Sequence, residues 1–237
     1  MIINKKISTT ALDLGKGLIH LLFPRLCEGC RKPLIATEEL ICLSCEEYIS
    51  RTNYHHLKNN ETTLRLSGRV VFQHATSFAY FTNQSLLQHL IHGLKYKGKQ
   101  HNGMFLGKEL GKQLLDEQWN VNAIIPVPLH KKKFAKRGFN QSEYIAEGVA
   151  EIMNLPIITN AVVRNRFTET QTDKTREQRI ENVANAFSVK NASLVNGKHL
   201  LLIDDVLTTG ATLESCALAL LSVPNVTVSI ATVGIAN

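Results

Sequence analysis

The segment Leu200–Thr212 constrains the fold more than any other part of this 237-residue chain. Four apolar residues, Leu200–Ile203, indicate a buried strand, and two adjacent carboxylates follow it directly. A loop of small and hydroxyl residues comes next, and the apolar pattern of Thr212–Leu221 predicts a helix. A strand that is apolar on both faces and leads through a short loop into a helix is typical of a parallel α/β sheet.

Strand and helix patterns alternate from about residue 71 onward, which predicts an α/β fold with a central parallel sheet flanked by helices. The polar stretch before them is interpreted as a linker, so the predicted domains are residues 1–70 and residues 71–237. The first contains a helix over residues 10–24, two cysteine pairs and the linker. The predicted strands are Ala75–Phe81, Ala123–Leu129, Ile157–Arg164, Leu200–Asp204 and Val226–Val233. The predicted helices are Ser85–Tyr96, Phe105–Glu117, Ser142–Met153 and Thr212–Leu221.

The loop after the Leu200 strand has the composition of a phosphate site. Backbone N–H groups at a helix N-terminus bind anions, threonine hydroxyls add donors, and Gly210 lets the backbone approach a ligand closely. Asp204 and Asp205 would repel a phosphate, so we expect them to accept hydrogen bonds from sugar hydroxyls or to organise Mg2+. A threonine-capped turn without a ligand explains the threonines but not the carboxylates. The predicted binding residues are Asp204, Asp205, Val206, Leu207, Thr208, Thr209, Gly210, Ala211 and Thr212.

Two other segments are predicted to follow the carboxyl ends of strands, where open α/β sheets bind ligands. One begins with a Pro-Val-Pro turn and continues into a run of basic residues, and the other is the polar segment 165–179. Three loops that converge on one sheet edge favour a binding site there. The candidate ligand residues in these two segments are Pro126, Val127, Pro128, Lys136, Arg137, Gly138 and Arg176.

Four cysteines form two C-x2-C pairs, Cys27/Cys30 and Cys42/Cys45, separated by eleven residues. Two such pairs complete the tetrahedral thiolate set that suits Zn2+, and four thiolates leave no open position, so the predicted zinc site is structural. Two disulfides are the alternative. We expect a cytoplasmic protein, because the sequence shows no secretory signal and no membrane span, and cytoplasmic cysteines stay reduced. Cys216 falls in an apolar helical run and is predicted to be a small buried residue.

Positive charge is concentrated in one segment. Residues 91–140, the basic band, contain ten basic and three acidic residues, and their net charge of +7 equals that of the whole chain. Such a band suggests a polyanionic partner, with a solvated lysine-rich face as the alternative. Tyr96, Phe134 and Phe139 lie among these lysines and are candidates for stacking on bases, with core packing as the alternative. The candidate DNA-binding residues are Lys95, Lys97, Lys131, Lys132 and Lys133.

The string from Asp204 to Thr212 resembles the 5-phosphoribosyl-1-pyrophosphate (PRPP) loop of type I phosphoribosyltransferases at every position of that motif. The resemblance implies that the acidic pair holds the ribose hydroxyls and that the loop holds the 5-phosphate. It also implies that the Pro126–Pro128 turn and basic residues around Arg137 and Arg176 bind pyrophosphate, with Mg2+ bridging pyrophosphate and ribose. The segment 165–179 has the position of the catalytic hood loop in that fold.

Nearly the whole chain is similar to the ComF family of competence-associated proteins. The similarity includes the cysteine pairs after Leu22-Phe23-Pro24, the string His92–Gly98, Pro126-Val-Pro with Arg137–Gln141, and the PRPP-like motif. The resemblance implies a type I phosphoribosyltransferase fold with a small N-terminal zinc ribbon. It also implies a role in assisting single-stranded DNA uptake during natural transformation.

Three functional hypotheses remain open at this level. The first is a PRPP-binding protein that assists DNA uptake. The second is an active Mg-dependent phosphoribosyltransferase, hence a glycosyltransferase, that resembles amidophosphoribosyltransferases and acts on a small acceptor. We expect no glutamine hydrolysis, because the sequence begins Met1-Ile2 and shows no N-terminal cysteine nucleophile. The third is a zinc-ribbon adaptor for a DNA-uptake helicase.

Overall fold

In the computed structural model, which describes residues 23–165 and 186–236, four parallel strands form a central sheet. Their spatial order is β1-β6-β5-β2. Two short strands, β3 and β4, form a separate antiparallel pair. The strands are β1 (Ala75–Phe81), β2 (Ala123–Pro126), β3 (Val162–Arg164), β4 (Phe187–Val189), β5 (His199–Leu207) and β6 (Thr227–Ala236). The prediction of a parallel α/β sheet is confirmed.

Seven α-helices lie in the described ranges, together with one-turn 3-10 helices at Tyr54–His56 and Ala192–Leu194. The α-helices are α1 (Leu43–Glu47), α2 (Glu61–Leu66), α3 (Leu86–Tyr96), α4 (Gln100–Asp116), α5 (Lys131–Arg137), α6 (Gln141–Met153) and α7 (Ala211–Leu221). In the described part of the chain, no helix combines the length and the apolar character that a membrane crossing requires.

Strand β5 lies in the middle of the sheet because its side chains are apolar on both faces. Leu200, Leu202 and Ile203 are fully buried, and Leu202 lies beside Ile125 of β2 and Ile230 of β6. The carboxyl ends of β2 and β5 therefore meet at one edge of the sheet, which is where the predicted ligand loops begin.

Helices α4 and α6 pack closely against each other on one side of this sheet. Ser142 of α6 lies next to Asp204 of β5. A Cβ atom added at Gly107 of α4 would lie 2.1 Å from the backbone oxygen of Ile145, and one at Gly148 of α6 would lie 2.2 Å from that of Met104. Only glycine permits this distance between the two backbones, since real Cβ contacts do not fall below 3.0 Å.

The predicted strand Ile157–Arg164 is split in the structure. Its beginning forms one parallel bridge to β2, where the Ile158 N–H donates to the Ile124 oxygen at 2.9 Å. Its end, β3, pairs with β4 and not with the central sheet. Next to this pair, the Ala161 oxygen accepts the Lys190 N–H at 2.7 Å. The sequence pattern did not reveal β4.

The predicted linker contains helix α2, which is anchored to β1. Asn60 caps the helix by accepting the Thr63 N–H at 3.0 Å, and its side-chain amide donates to the Ala75 oxygen of β1 at 2.9 Å. The Thr62 hydroxyl lies 2.8 Å from that of Ser77. The chain separates into compact units at residues 1–48 and 49–237, so residues 49–70 lie with the α/β domain in the structure, whereas the sequence boundary was placed at residue 70.

The first unit is described from residue 23 onward, so the predicted helix over residues 10–24 lies almost entirely outside the described residues. Leu26 and Pro33 form an antiparallel bridge, and the N–H of Cys27 donates to the Lys32 oxygen at 2.8 Å. This small hairpin carries the first cysteine pair, and α1 carries the last cysteine.

Candidate functional site

The acidic pair lies within β5, shortly before the strand ends at Leu207, and both of its side chains are buried. Asp204 and Asp205 are 9% and 5% exposed. The Oδ1 atom of Asp204 accepts the Ser142 hydroxyl and the Asp205 N–H, each at 2.9 Å. Burial, and then the neighbouring Asp205 charge, raise the pKa of Asp204 to about 7. Burial makes the ionised form of Asp204 unfavourable, and the Ser142 hydroxyl of α6 orients its carboxyl group. A carboxylate in such a site is suited to accept hydrogen bonds from a ligand.

Lys95, which the sequence analysis assigned to the DNA-binding candidates, pairs with this acidic site. Its Nζ atom lies 2.9 Å from Oδ2 of Asp205, so the two side chains form an ion pair. Helix α3 carries Lys95 in its last turn, so the end of this helix lies next to the site and places the lysine beside the carboxylate.

The loop after the acidic pair is held from outside by two arginines of the former linker. Arg65 donates to the Thr208 oxygen at 3.1 Å, and Arg69 donates to the Thr209 oxygen. Arg69 also donates through Nε to Glu214 of α7 at 2.9 Å. Because the carbonyl groups bind these arginines, the loop keeps a fixed backbone course, and its N–H groups remain available to an anion.

Gly210 takes the left-handed conformation that the loop requires. Its φ angle is +81°, and an added Cβ would lie 3.1 Å from both Arg69 Nη1 and Leu66 Cδ2. A side chain at this position would therefore be strained and would press on the arginine that holds the loop.

One cavity, here called the motif pocket, joins these elements at the strand ends and has a volume of about 250 Å3. It brings together the acidic pair, the two loop threonines Thr208 and Thr212, the turn after β2 and four basic side chains. Its lining residues are Lys95, Tyr96, Val127, Pro128, Leu129, Lys133, Arg137, Gln141, Arg164, Asp204, Asp205, Val206, Thr208 and Thr212.

Several predicted site residues do not line this pocket. Lys97 and Lys131 line neither this pocket nor the neighbouring one, and Arg176 lies outside the described residues, as does segment 166–179 of the predicted hood loop. Lys132 and Lys136 line only the neighbouring cavity. Six further predicted residues do not line the motif pocket: Pro126, Gly138, Leu207, Thr209, Gly210 and Ala211. Leu207 was predicted to belong to the loop but ends β5, and Ala211 begins α7.

Several residues of the site were not predicted from the sequence, among them Ser142, Arg164, Arg65 and Arg69. Ser142 and Arg164 were read as parts of a helix and a strand, and Arg65 and Arg69 as parts of a linker. For Ser142 a local signal existed, because it lies two residues after the helix-capping Asn140, whose side chain accepts the Ser142 N–H. For the arginines none existed, since their partners in the loop lie 143 and 140 positions away.

A second cavity of about 530 Å3, here called the basic cavity, adjoins the motif pocket through four shared residues. Its walls consist of five cations, two aromatic rings and a glycine, and the lining contains no acidic residue. Helix α5 was not predicted from the sequence, because its three successive lysines mask any apolar period. The lining residues are Lys95, Tyr96, Gly98, Lys132, Lys133, Lys136, Arg137 and Phe139.

The acidic pair does not fit as a direct ligand set for Mg2+. Lys95 holds one oxygen of Asp205, and the Asp204 oxygen accepts hydrogen bonds from Ser142 and from the backbone. Magnesium requires several oxygens in near-ideal octahedral geometry, and an ammonium group at this position repels a cation. We therefore derive no step through a metal held by Asp204 and Asp205.

The four cysteines of the first unit converge on one point. The Sγ atoms of Cys27, Cys30, Cys42 and Cys45 all lie within 4.8 Å of one another, and none of the four is in a disulfide. Tetrahedral zinc with Zn–S bonds of about 2.3 Å places its sulfurs roughly 3.8 Å apart. The sulfurs of Cys30 and Cys42 are 3.6 Å apart. The cluster is compatible with a zinc ribbon.

The surroundings of Cys27 favour a thiolate. Its sulfur accepts the N–H groups of Gly29 and Cys42 at 3.3 Å each and that of Cys30 at 3.5 Å. Burial opposes ionisation, but these backbone donors outweigh it and lower the pKa of Cys27 to about 6. Burial and the neighbouring thiols raise the pKa of Cys45, so a cation is needed to bring all four to the thiolate form.

Comparison with protein families matches residues 140–234 to the phosphoribosyl transferase domain. This match contains α6, β5, the PRPP-like loop, α7 and most of β6. It therefore covers the acidic pair and the loop but not the cysteine cluster.

Several curated proteins are similar to the chain. "DNA utilization protein YhgH" of Shigella flexneri is 32% identical over 140 residues, which cover 57% of this chain and 61% of that protein. The Salmonella typhi protein of the same name is 28% identical over 215 residues, covering 85% and 92%. "Competence protein ComFC" of Bacillus subtilis is 37% identical over 98 residues, covering 41% and 38%. The chain thus spans about three fifths of the first relatives it matches.

Among solved structures, the glutamine PRPP amidotransferase of B. subtilis matches with a TM-score of 0.38 and 22% identity, over 54% of this chain and 25% of that one. The adenine phosphoribosyl transferase of Trypanosoma brucei matches with a TM-score of 0.40 and 11% identity, over 68% and 83%.

The domain match, the central parallel sheet and relatives named for competence agree with the family expected from the motifs. The chain is therefore a ComF-like protein, similar to proteins named for competence and DNA utilization, and it contains a domain of the type I phosphoribosyltransferase fold.

Proposed function

We propose that this protein binds PRPP or a related phosphoribosyl ligand in the motif pocket and assists the handling of single-stranded DNA in DNA uptake. The observation that carries the ligand assignment is the pocket itself. It combines two buried carboxylates, a loop of N–H and hydroxyl donors, and basic side chains at one strand edge. The DNA role is supported by the basic band and by relatives named "DNA utilization protein YhgH" and "Competence protein F".

Each part of the ligand has a chemical counterpart in the pocket. The 5-phosphate binds the N–H groups of the loop with the hydroxyls of Thr208 and Thr212, and the ribose hydroxyls donate to Asp204 and Asp205. The diphosphate lies toward Lys133 and Arg137, next to the Val127–Pro128 turn, because these cations neutralise its charge. Arg176 stays a predicted diphosphate ligand from the resemblance.

A calorimetric titration with PRPP, repeated with single-stranded DNA, tests this proposal. Each titration is run with Mg2+ and with a chelator, because magnesium stays a prediction from the resemblance as the counter-ion of the diphosphate. Release of pyrophosphate in the presence of ammonia or a nucleobase would favour the active transferase. PRPP binding without pyrophosphate release supports the binding role, and absence of PRPP binding rejects the ligand assignment. The cytoplasmic location and a helicase partner stay predictions as well.

Replacing Arg69 with alanine is expected to weaken PRPP binding about tenfold or more. The change removes charge-assisted hydrogen bonds to Thr209 and Glu214, each worth roughly 1.5–3 kcal/mol, and so releases the loop from its outer support. Calorimetry with PRPP measures the effect. The Arg69→Lys variant retains the positive charge and one donor nitrogen, so its affinity for PRPP should lie between those of the alanine variant and wild type. An alanine variant with wild-type affinity would show that the loop needs no support from Arg69.

Reversing charge at Lys131 and Lys132 to glutamate is expected to lower the affinity for single-stranded DNA and to flatten its salt dependence. The log–log slope is roughly −0.7 per phosphate neutralised, so losing two contacts should change the slope by more than one. Lys133 is left intact because it lines the motif pocket. Fluorescence anisotropy at four salt concentrations measures the slope. A double variant with the wild-type slope would identify these lysines as a solvated face.

A further inference from the structure

The motif pocket and the basic cavity are not separate sites. They share Lys95, Tyr96, Lys133 and Arg137, so one set of side chains forms the wall between them. The shared residues come from the end of α3 and from α5, while the parts that recognise ribose and 5-phosphate lie only on the motif side. Any ligand in the basic cavity therefore contacts groups that the diphosphate of PRPP also needs.

The charges in the basic cavity favour an anion with more than one phosphate. Lys132 and Lys136 face this cavity without lining the motif pocket, and they extend the positive surface beyond the shared cations. Burial, and then the charges of Arg164, Arg137 and Lys95, lower the pKa of Lys133, whereas the charge of Asp205 opposes this shift, so the cations around Lys133 repel one another. A chain of phosphates that continues out of the cavity would lower the repulsion between these basic side chains.

An aromatic platform accompanies these cations. The ring of Tyr96 is part of a residue that is 65% exposed, and the Arg137 guanidinium lies 5.7 Å from the ring centre. Phe139 packs edge-on against Tyr144 at 5.6 Å and contributes to the cavity wall. An exposed ring beside several cations is how proteins bind single-stranded nucleic acid without sequence preference, because any base stacks and any phosphate pairs. The volume of about 530 Å3 lies in the range of small-ligand sites and so admits one nucleotide.

We propose that the basic cavity binds a nucleotide of single-stranded DNA, with its base on Tyr96 and its phosphates on the shared cations, so that the strand and PRPP compete. The inference rests on the proposed function, which supplies the two ligands. It adds where the strand binds, and it makes PRPP a regulator of DNA release. Since coupling between two ligands is reciprocal, the strand must weaken PRPP binding by the same factor.

The experiment measures the affinity of a fluorescent oligothymidylate by anisotropy, alone and with three competitors at constant ionic strength. Saturating PRPP and inorganic pyrophosphate are each expected to weaken strand binding about tenfold, within the usual range of coupling factors. Ribose 5-phosphate lacks the diphosphate, binds only the loop side and should change the strand affinity less than about twofold. Sulfate at the same ionic strength corrects for general screening.

Two matched variants distinguish strand binding in the basic cavity from general attraction to the basic band. Lys132→Gln removes a cation that lines only the basic cavity and should weaken strand binding, whereas Lys97→Gln removes a cation of the same band that lines neither cavity. A Lys97 variant as weak as the Lys132 variant would show general surface attraction and overturn the site assignment.

The outcomes distinguish this inference from the proposed function. If calorimetry shows PRPP binding and the strand affinity is unchanged at saturating PRPP and pyrophosphate, competition is rejected and the proposed ligand stands. If PRPP does not bind, the proposed function fails, and displacement of the strand by pyrophosphate beyond the sulfate control still decides whether the strand occupies the shared cations.

Discussion

The double variant Asp204→Asn with Asp205→Asn is expected to lose PRPP binding by about two orders of magnitude or more. Each carboxylate accepts a charge-assisted bond from a ribose hydroxyl, and an amide accepts more weakly; two such bonds are worth roughly 1.5–3 kcal/mol each. The change also leaves Lys95 without its ion-pair partner, which loosens the end of α3 next to the diphosphate. Calorimetry with PRPP measures the loss.

Two controls show whether the double variant fails through the site or through the fold. Inorganic phosphate binds only the loop and should keep its affinity within a few-fold. The folded-state pKa of Asp204 lies above its ordinary value of 3.8, so the wild-type protein loses stability as pH rises from about 4 through 7. Asparagine cannot ionise, so the single variant Asp204→Asn should unfold at a higher temperature than wild type at pH 8 and show little difference at pH 4. Unchanged PRPP affinity in a folded double variant would reject the site assignment.

Removing zinc is expected to unfold the first unit while the α/β domain stays folded. The described part of this unit buries few apolar side chains, among them Leu40 and Ile41, so a metal bound by four thiolates must supply most of its stability. Structural zinc contributes roughly 10–16 kcal/mol in small domains. Protein purified without chelator should contain about one zinc per chain, and a strong chelator should expose residues 25–48 to protease.

Single substitutions sharpen the zinc prediction. Cys42→Ser removes one of the four ligands and should lower the zinc content well below one per chain. Cys216→Ala is the matched control, because this buried cysteine belongs to α7 and not to the cluster. A wild-type protein that contains no metal, with all four thiols open to titration, would contradict the zinc site.

Much of the fold was readable from local patterns. Leu200–Ile203 predicts a buried central strand because a parallel sheet needs apolar side chains on both faces, and β5 occupies that position. The start of α3 was visible in Ser85, which accepts the Gln88 N–H at 3.1 Å as a helix cap. Helix α5 was missed, because Lys131–Lys133 shows no apolar period and only Gly138, with a φ of +84°, marks its end.

The chemistry of the sites divides in the same way. The sequence by itself determined the four cysteines and the acidic pair with its loop, because each depends on residues close together along the chain. Only the tertiary structure decided that Arg69 supports the loop and that Lys95 faces Asp205, since these partners lie far apart in sequence. The distribution of charges along the sequence does not show which lysine of the basic band lies next to Asp205. The packing of α3 at the sheet edge brings Lys95 to Asp205, so this residue of the basic band is part of the motif pocket.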